Sequence, residues 1–222
     1  PEEAAVLIKV TDKGVLDEIF NTASSIKQTI YGDRLVFFAP LYVSNYCIND
    51  CGYCGFHATN PSPRKKLTME EIMEQTGRII GMGHKRVLLE AGEDERNNPI
   101  DYILDAIDAV YSVKKDGGKI RRINVNIAAT TLENYRRLKE RKIGTYQLFQ
   151  ETYHRPTYEG IHKGPKRDYL RQLHALDNAF EAGIDDVGLG VLFGLYDWRF
   201  EVLSLITHAK YLQERFGAGP HT

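Results

Sequence analysis

All the cysteines of this chain fall within eight residues, in the stretch Tyr46-Cys47-Ile48-Asn49-Asp50-Cys51-Gly52-Tyr53-Cys54. Three thiols cannot pair off into disulfides, and the C-x3-C-x2-C spacing is too tight for most bridges. Clustered thiols in an otherwise cysteine-free chain point to metal. A structural zinc ion takes four protein ligands, and iron–sulfur clusters usually take four cysteines. Cys47, Cys51 and Cys54 would leave one iron of a cubane free to bind another molecule. A zinc knuckle is the alternative, with His57 as fourth ligand. The Gly52-Tyr53 and Gly55-Phe56 pairs suit a loop that wraps a cluster in apolar groups.

The rest of the chain must position that loop. Its 222 residues suffice for one domain with a substantial core. A net charge of −1 gives no sign of a nucleic-acid or anionic-membrane partner. No apolar run is long enough to span a bilayer, and no signal peptide is visible. Free thiols clustered for metal imply a reducing compartment, hence the cytoplasm.

Hydrophobic periodicity predicts a helix over 12–31, capped by Asp12 and closed by Gly32, with Val15, Leu16, Ile19, Phe20, Ala23, Ile26 and Ile30 on its apolar positions. Leu35–Ala39 reads as a buried strand ending at Pro40, and the cysteine loop leaves its end. Thr68-Met69-Glu70-Glu71 is a capping box that opens a helix to about Met82. Arg86–Glu90 is the second strand. A helix runs from Pro99 to about Asp116, where Gly117-Gly118 stops it. Ile123–Ile127 is the third strand; Thr130, with Glu133, caps the next helix, which Gly144 ends. Thr145–Gln150 is the fourth strand. A polar excursion over Arg155–Pro165 precedes a helix at about 166–182. Ile184–Leu192 contains the fifth strand, and 198–215 is the last helix, ended by Gly217. Five alternations of strand and helix argue for parallel βα units. The expected architecture is α/β, a partial TIM-like barrel, with a flavodoxin-like open sheet as the alternative. A helical leader over 1–34 would precede a barrel over 35–222.

In parallel α/β folds ligands gather at the carboxyl ends of the strands. Those ends carry the cysteine loop, Ala91-Gly92-Glu93, Asn124 and Asn126, Glu151 with Tyr153 and His154, and Gly188 with Gly190. They are polar or glycine positions after apolar strands, so they can face one cavity. Glu151 is either a ligand-binding carboxylate or the partner of Arg155. Gly188 and Gly190 interrupt a strand, which marks close approach of a ligand or of backbone.

The cysteine spacing, with Tyr53 just before the last cysteine, resembles the signature of the radical S-adenosylmethionine (SAM) enzymes. The resemblance implies a [4Fe–4S] cluster on Cys47, Cys51 and Cys54. It implies SAM chelated by the open iron through its amino and carboxylate groups, and an electron that splits it into methionine and a 5′-deoxyadenosyl radical. It also implies the (βα)6 form of the barrel, here with its last strand missing. Ala91-Gly92-Glu93 resembles the family's Gly-Gly-Glu stretch, whose backbone and carboxylate meet the SAM amino group; Ala91 departs from the first glycine. By the same resemblance Tyr53, Asn126, Glu151, Gly188 and Gly190 are candidates for the remaining cofactor contacts, with the adenine near Val191-Leu192.

Longer runs narrow the resemblance. Gln150-Glu151-Thr152-Tyr153-His154, Gly164-Pro165-Lys166, Ala182-Gly183-Ile184-Asp185-Asp186-Val187-Gly188 and Phe193-Gly194-Leu195-Tyr196-Asp197 are similar to the aromatic amino acid lyases of that superfamily. The last of these runs, with Gly219-Pro220-His221-Thr222, fits the tyrosine lyases of [FeFe]-hydrogenase maturation better than those of thiamine synthesis. The resemblance implies L-tyrosine as substrate, a reducing electron donor, and cleavage of the Cα–Cβ bond to p-cresol and dehydroglycine (2-iminoacetate). In the hydrogenase branch dehydroglycine becomes CO and cyanide at an auxiliary iron–sulfur cluster held by a C-terminal domain. No cysteines for such a cluster occur here, so the chain reads as a fragment, and His221 is a candidate for the histidine that faces it. The family often carries Arg where this chain has Asn178; Arg155 or Arg171 would then have to compensate.

Overall fold

The computed structural model describes all residues, Pro1–Thr222. The chain forms two compact units, Pro1–Phe37 and Phe38–Thr222.

The first unit holds α1 (Glu2–Leu7) and α2 (Lys13–Tyr31). Asp12 caps α2 by accepting the Val15 N–H (3.0 Å), and Gly32 closes it at φ 58°, a conformation that suits glycine. The helix is where its periodicity put it, but none of its residues is buried, and Val15, Phe20, Ile26 and Ile30 stand exposed. The strand predicted over Leu35–Ala39 is displaced. Leu35 to Phe38 are exposed and outside any sheet, and β1 is Ala39–Ser44. The reason is alternation: Ala39, Leu41 and Val43 are buried, while Pro40 and Tyr42 point outward. Pro40 did not end the strand because β1 is an edge strand, where a missing N–H is tolerated.

In the second unit, α3 (Met69–Gly81), β2 (Arg86–Ala91) and α4 (Ile100–Ser112) follow β1. The Thr68 capping box is complete: Thr68 Oγ1 accepts the Glu71 N–H (3.2 Å), and Glu71 Oε2 accepts the Thr68 N–H (2.9 Å). Helix α4 stops short of the predicted end. Lys114–Lys115 (β3) and Gly118–Lys119 (β4) form a small antiparallel hairpin around Asp116-Gly117. Both turn residues have positive φ (50° and 74°), which is the backbone a two-residue hairpin demands. Then come β5 (Arg122–Asn126), α5 (Leu132–Glu140) and β6 (Tyr146–Gln147). The cap of α5 is Thr131, one residue beyond the predicted Thr130, and Arg141 ends the helix before Gly144. The presumed polar excursion contains a helix, α6 (Arg155–Ile161), which buries Tyr158. The helix predicted over 166–182 is three pieces: a 3₁₀ turn at Pro165–Arg167, α7 (Tyr169–Leu173) and α8 (Ala175–Glu181). Strand β7 (Val187–Gly188) and α9 (Trp198–Phe216) complete the chain, with Gly217 in the left-handed region as expected.

The five main strands pair in the order β1-β2-β5-β6-β7, all parallel. The sheet is open, with β1 and β7 at its edges. Alternation sorts its residues. Val87 and Leu89 on β2, Ile123 and Val125 on β5, and Val187 on β7 join Ile72, Ile107, Leu138 and Leu176 of the helices in one core. Tyr42, Glu90 and Asn126 stand in register across β1, β2 and β5, and all three line a cavity at the carboxyl ends of the strands. Beyond the short β6, Leu148 and Gln150 N–H groups continue the ladder to Gly188 and Gly190 carbonyl oxygens (3.1 and 2.9 Å). At the β7 edge, His221 N–H bonds the Val187 carbonyl oxygen (2.9 Å), and Leu189 N–H bonds that of Thr222 (2.8 Å). No helix is long and apolar enough to cross a membrane.

The capping box gives a local test. Thr68→Ala removes an acceptor at the start of α3 and is expected to lower stability by about 1 kcal/mol, read as a shifted midpoint in urea unfolding.

Candidate active site

The cysteine loop has no regular structure; its backbone groups bond partly to one another, as His57 N–H does to the Cys54 carbonyl oxygen (3.1 Å), and partly to neighbouring loops. Ile48 N–H reaches the Glu93 carbonyl oxygen (2.8 Å), Gly52 N–H that of Ile161 (3.0 Å), and Asp50 N–H that of Lys163 (3.3 Å). Arg64 gathers the far end of the loop, donating to the carbonyl oxygens of Asn45 (2.8 Å), Phe56 (3.0 Å), His57 (2.6 Å) and Asn60 (3.2 Å). The loop is thereby tied to the end of β2 and to the segment after α6.

All three cysteines are unpaired, with Cys51 buried and the other two half-buried. They line one cavity of about 720 Å³. Burial pushes the Cys51 thiol up to about 11, against the pull of Lys166. Metal-free, Cys51 is therefore a thiol, and metal ligation must displace its proton. His57 Nδ1 faces Asp50 Oδ1 (2.9 Å) and Thr59 Oγ1 (3.1 Å). The hydrogen bonds from His57 and Thr59 hold the Asp50 carboxyl down at about 2.

Five other residues singled out from the sequence share the cavity: Tyr53, Gly92, Glu93, Asn126 and Glu151. A Cβ on Gly92 would overlap the Tyr46 carbonyl oxygen and lie 2.9 Å from Cys47 Cβ, so only glycine lets β2 end this close to the loop. Glu93 is clamped by Arg171 Nη2 (2.6 Å) and Asn49 Nδ2 (2.5 Å). Glu151 pairs with Lys166 (2.7 Å); Arg155, the partner offered as the alternative to a ligand-binding role, bonds Glu159 instead (2.6 Å), because α6 sets them four residues apart on one helix. Glu151 has φ 68°, a strained conformation of the kind that collects at ligand sites.

Three predicted residues fall outside this group. Gly188 and Gly190 do not line the cavity. Their missing side chains admit β6 instead: a Cβ would lie 2.8 Å from Gln147 Cγ and 2.6 Å from Phe149 Cδ1. His221 is exposed and runs along β7.

Of the two arginines offered as compensation for Asn178, Arg171 reaches the site, on Glu93; the sequence reading gave no role to Lys166, Asn49, His162 or Glu90. Glu90 had a signal: it alternates with buried Leu89, so it faces the other side of the sheet. Burial raises its carboxyl above the ordinary range, and the Glu90 charge, followed by burial, raises the neighbouring Tyr42. His162 is fully buried with both ring nitrogens engaged. Nδ1–H donates to the Tyr158 carbonyl oxygen (2.8 Å), so Nε2 accepts the Tyr53 hydroxyl (2.8 Å). Burial, with Lys166 nearby, brings its imidazole down to about 4.

The Radical SAM superfamily profile matches residues 41–204. The chain belongs to the radical SAM superfamily. It is 31% identical to the 2-iminoacetate synthase of Escherichia coli (strain K12), over 97% of this chain and 56% of that protein. The crystal structure of HydG, a maturase of the [FeFe]-hydrogenase, is similar with a TM-score of 0.99 and 60% identity, over 100% of this chain and 49% of that one. HydG from Carboxydothermus hydrogenoformans gives 0.93 and 47%, over 99% and 51%. The chain thus spans about half the length of these relatives. The fold is the α/β radical SAM type expected, and that family implies a [4Fe–4S] cluster with SAM; the Nδ1 of His57, the residue offered as a zinc ligand, is directed to Asp50 and Thr59.

The residues present fit a radical SAM cluster and cofactor. Three unpaired thiols, the soft ligands that iron–sulfur clusters take, line one cavity. Beside them lie a glycine cradle, two carboxylates and two paired cations.

Two outcomes follow. Gly92→Ala forces Cys47 outward, and iron bound per chain after anaerobic reconstitution should drop to a small fraction of wild type. His162 gives a pH signature. Its folded value, about 4, lies below the ordinary 6.5, so the unfolded chain binds the proton more readily. Stability should fall as pH drops from about 6.5 toward about 4. His162→Gln should flatten that fall in urea unfolding of the metal-free protein, without abolishing it, since burial lowers His208 in the same sense.

Proposed function

We propose that the chain carries the cluster- and SAM-binding machinery of a tyrosine lyase that supplies dehydroglycine for ligand synthesis in [FeFe]-hydrogenase maturation. The observation that carries this reading is that Cys47, Cys51, Cys54, Gly92, Glu93 and Glu151 line one cavity of a chain 60% identical to HydG. When bound, the cluster and SAM supply a reductively generated 5′-deoxyadenosyl radical that takes a hydrogen atom from the amino group of tyrosine.

The chain's own residues prepare that chemistry. Cys47, Cys51 and Cys54 hold the cluster as thiolates. Gly92 lets the β2 backbone approach, and Glu93, held by Arg171 and Asn49, presents a carboxylate to the SAM amino group. Glu151, Asn126 and Tyr53 complete the polar lining. Lys166 neutralises Glu151 and keeps a positive charge near the thiolates. Leu148, Phe149 and Ile127 give the cavity an apolar wall, which limits water around a reactive radical. Loss of the substrate hydrogen is followed by Cα–Cβ cleavage. The p-hydroxybenzyl fragment would take one electron from the external reductant and one proton from solvent to leave as p-cresol, and the glycyl fragment would leave as dehydroglycine.

A second reading, favoured by the Escherichia coli relative, is a 2-iminoacetate synthase. It shares the tyrosine cleavage and lacks CO and cyanide release, so product analysis on the full-length protein separates the two.

Anaerobic reconstitution with iron and sulfide, followed by electron paramagnetic resonance of the reduced protein with and without SAM, tests the site. A cubane signal that changes on adding SAM is expected, and Cys51→Ser should remove the change. Chromatography for p-cresol after adding tyrosine and a reductant tests the lyase step. A SAM-responsive cluster that cleaves SAM but never yields p-cresol overturns the tyrosine assignment.

A further inference from the structure

Asn49 sits between Cys47 and Cys51 and is buried, and its side-chain amide is fully used. Oδ1 accepts the backbone N–H of Lys166 (2.9 Å). Nδ2 donates to Glu93 Oε2 (2.5 Å) and lies 3.8 Å from Cys47 Sγ, within reach of a hydrogen bond to sulfur. The arrangement fixes the orientation of the amide. The Glu93 carboxylate, paired with Arg171, accepts on one side, while a backbone N–H faces the amide on the other and can only donate. The approach is close enough to need Gly164, whose Cβ would lie 2.7 Å from Asn49 Oδ1 and whose φ is 78°.

One side chain thus joins three loops: the cysteine loop, the end of β2 and the turn that delivers Lys166. It also joins two groups with separate tasks, a cluster sulfur and the carboxylate placed at the SAM amino group. We propose that Asn49 is a positioning residue that couples Cys47 to Glu93, so that one amide sets both the reduction potential of the cluster and the affinity for SAM. Hydrogen bonds to the sulfurs are among the groups' main controls on iron–sulfur potentials. Cys54 Sγ receives its donor from the Phe56 backbone N–H (3.4 Å), which no side-chain change removes; for Cys47 the donor is the Asn49 amide.

The inference rests on the cluster-site reading above, and the test separates the two. Asn49→Asp is the deciding variant. It keeps an oxygen for the Lys166 N–H, removes both N–H donors, and sets a carboxylate against Glu93 and Cys47. Reconstituted Asn49→Asp should show a more negative midpoint potential by redox titration followed by electron paramagnetic resonance. Its SAM affinity, measured by the SAM-induced change in the signal, should fall roughly tenfold, as loss of a charge-assisted hydrogen bond implies. Asn49→Ala should move both quantities the same way; if it fails to hold iron, Asn49→Asp decides alone. Asn49→Asp with wild-type potential and wild-type SAM affinity overturns the proposal, and so does a change in only one of the two. A wild-type protein with no SAM-responsive cubane signal overturns the site reading itself, and the role of Asn49 with it.

Discussion

Everything at this site depends on a loop that must hold three thiols in place with no ladder of its own. Residues 45–60 form neither helix nor strand; some of their backbone groups pair within the loop, as Ala58 N–H does with the Asn49 carbonyl oxygen (2.7 Å), and the others need partners elsewhere. The partners come from the Arg64 fan, from the Glu93 backbone, and from carbonyls at and beyond the end of α6. Because the sheet is parallel, all these segments leave its same rim, and the loop can reach them over short distances. The fold thus brings all three cysteines to the lining of one cavity, and Cys51 must still give up its proton to bind a metal.

The same constraint explains what the sequence made legible. The cysteine spacing is local, and so are the caps of α2 and α3 at Asp12 and Thr68, where side-chain and backbone signals lie within four residues. Alternation marked β5 for the same reason. The displaced β1 shows the limit. Leu35 to Phe38 are as apolar as any strand, yet Ala39, Leu41 and Val43 pair with β2, because register is decided by the partner strand. Helix α6 was missed because only Tyr158 is buried on it, although Pro156 in its first turn was a usable sign.

The ion pairs were beyond reach for a different reason. Glu151 with Lys166 and Glu93 with Arg171 are 15 and 78 residues apart. No spacing rule connects such residues; the crossover geometry does. The glycines divide along the same line. Gly92 is dictated by contact with the Cys47 loop, and Gly188 and Gly190 by contact with Gln147 and Phe149. All three are glycines inside or beside a strand, so composition alone could not say which of them faced a ligand.

The pairing also settles the charge at the cavity. Glu93 and Glu151 are each matched by a cation, so neither faces the low-dielectric interior alone. Three cysteines that ionise on binding iron add negative charge to this balance, and Lys166 is the cation that already draws the Cys51 value down against burial. Lys166 is in turn fixed by the Asn49 amide at its backbone and by Glu151 at its side chain. Moving Asn49 therefore disturbs the loop, the Glu93 carboxylate and this cation together. Three loops that share one amide cannot adjust independently, and the arrangement answers to a ligand as a unit.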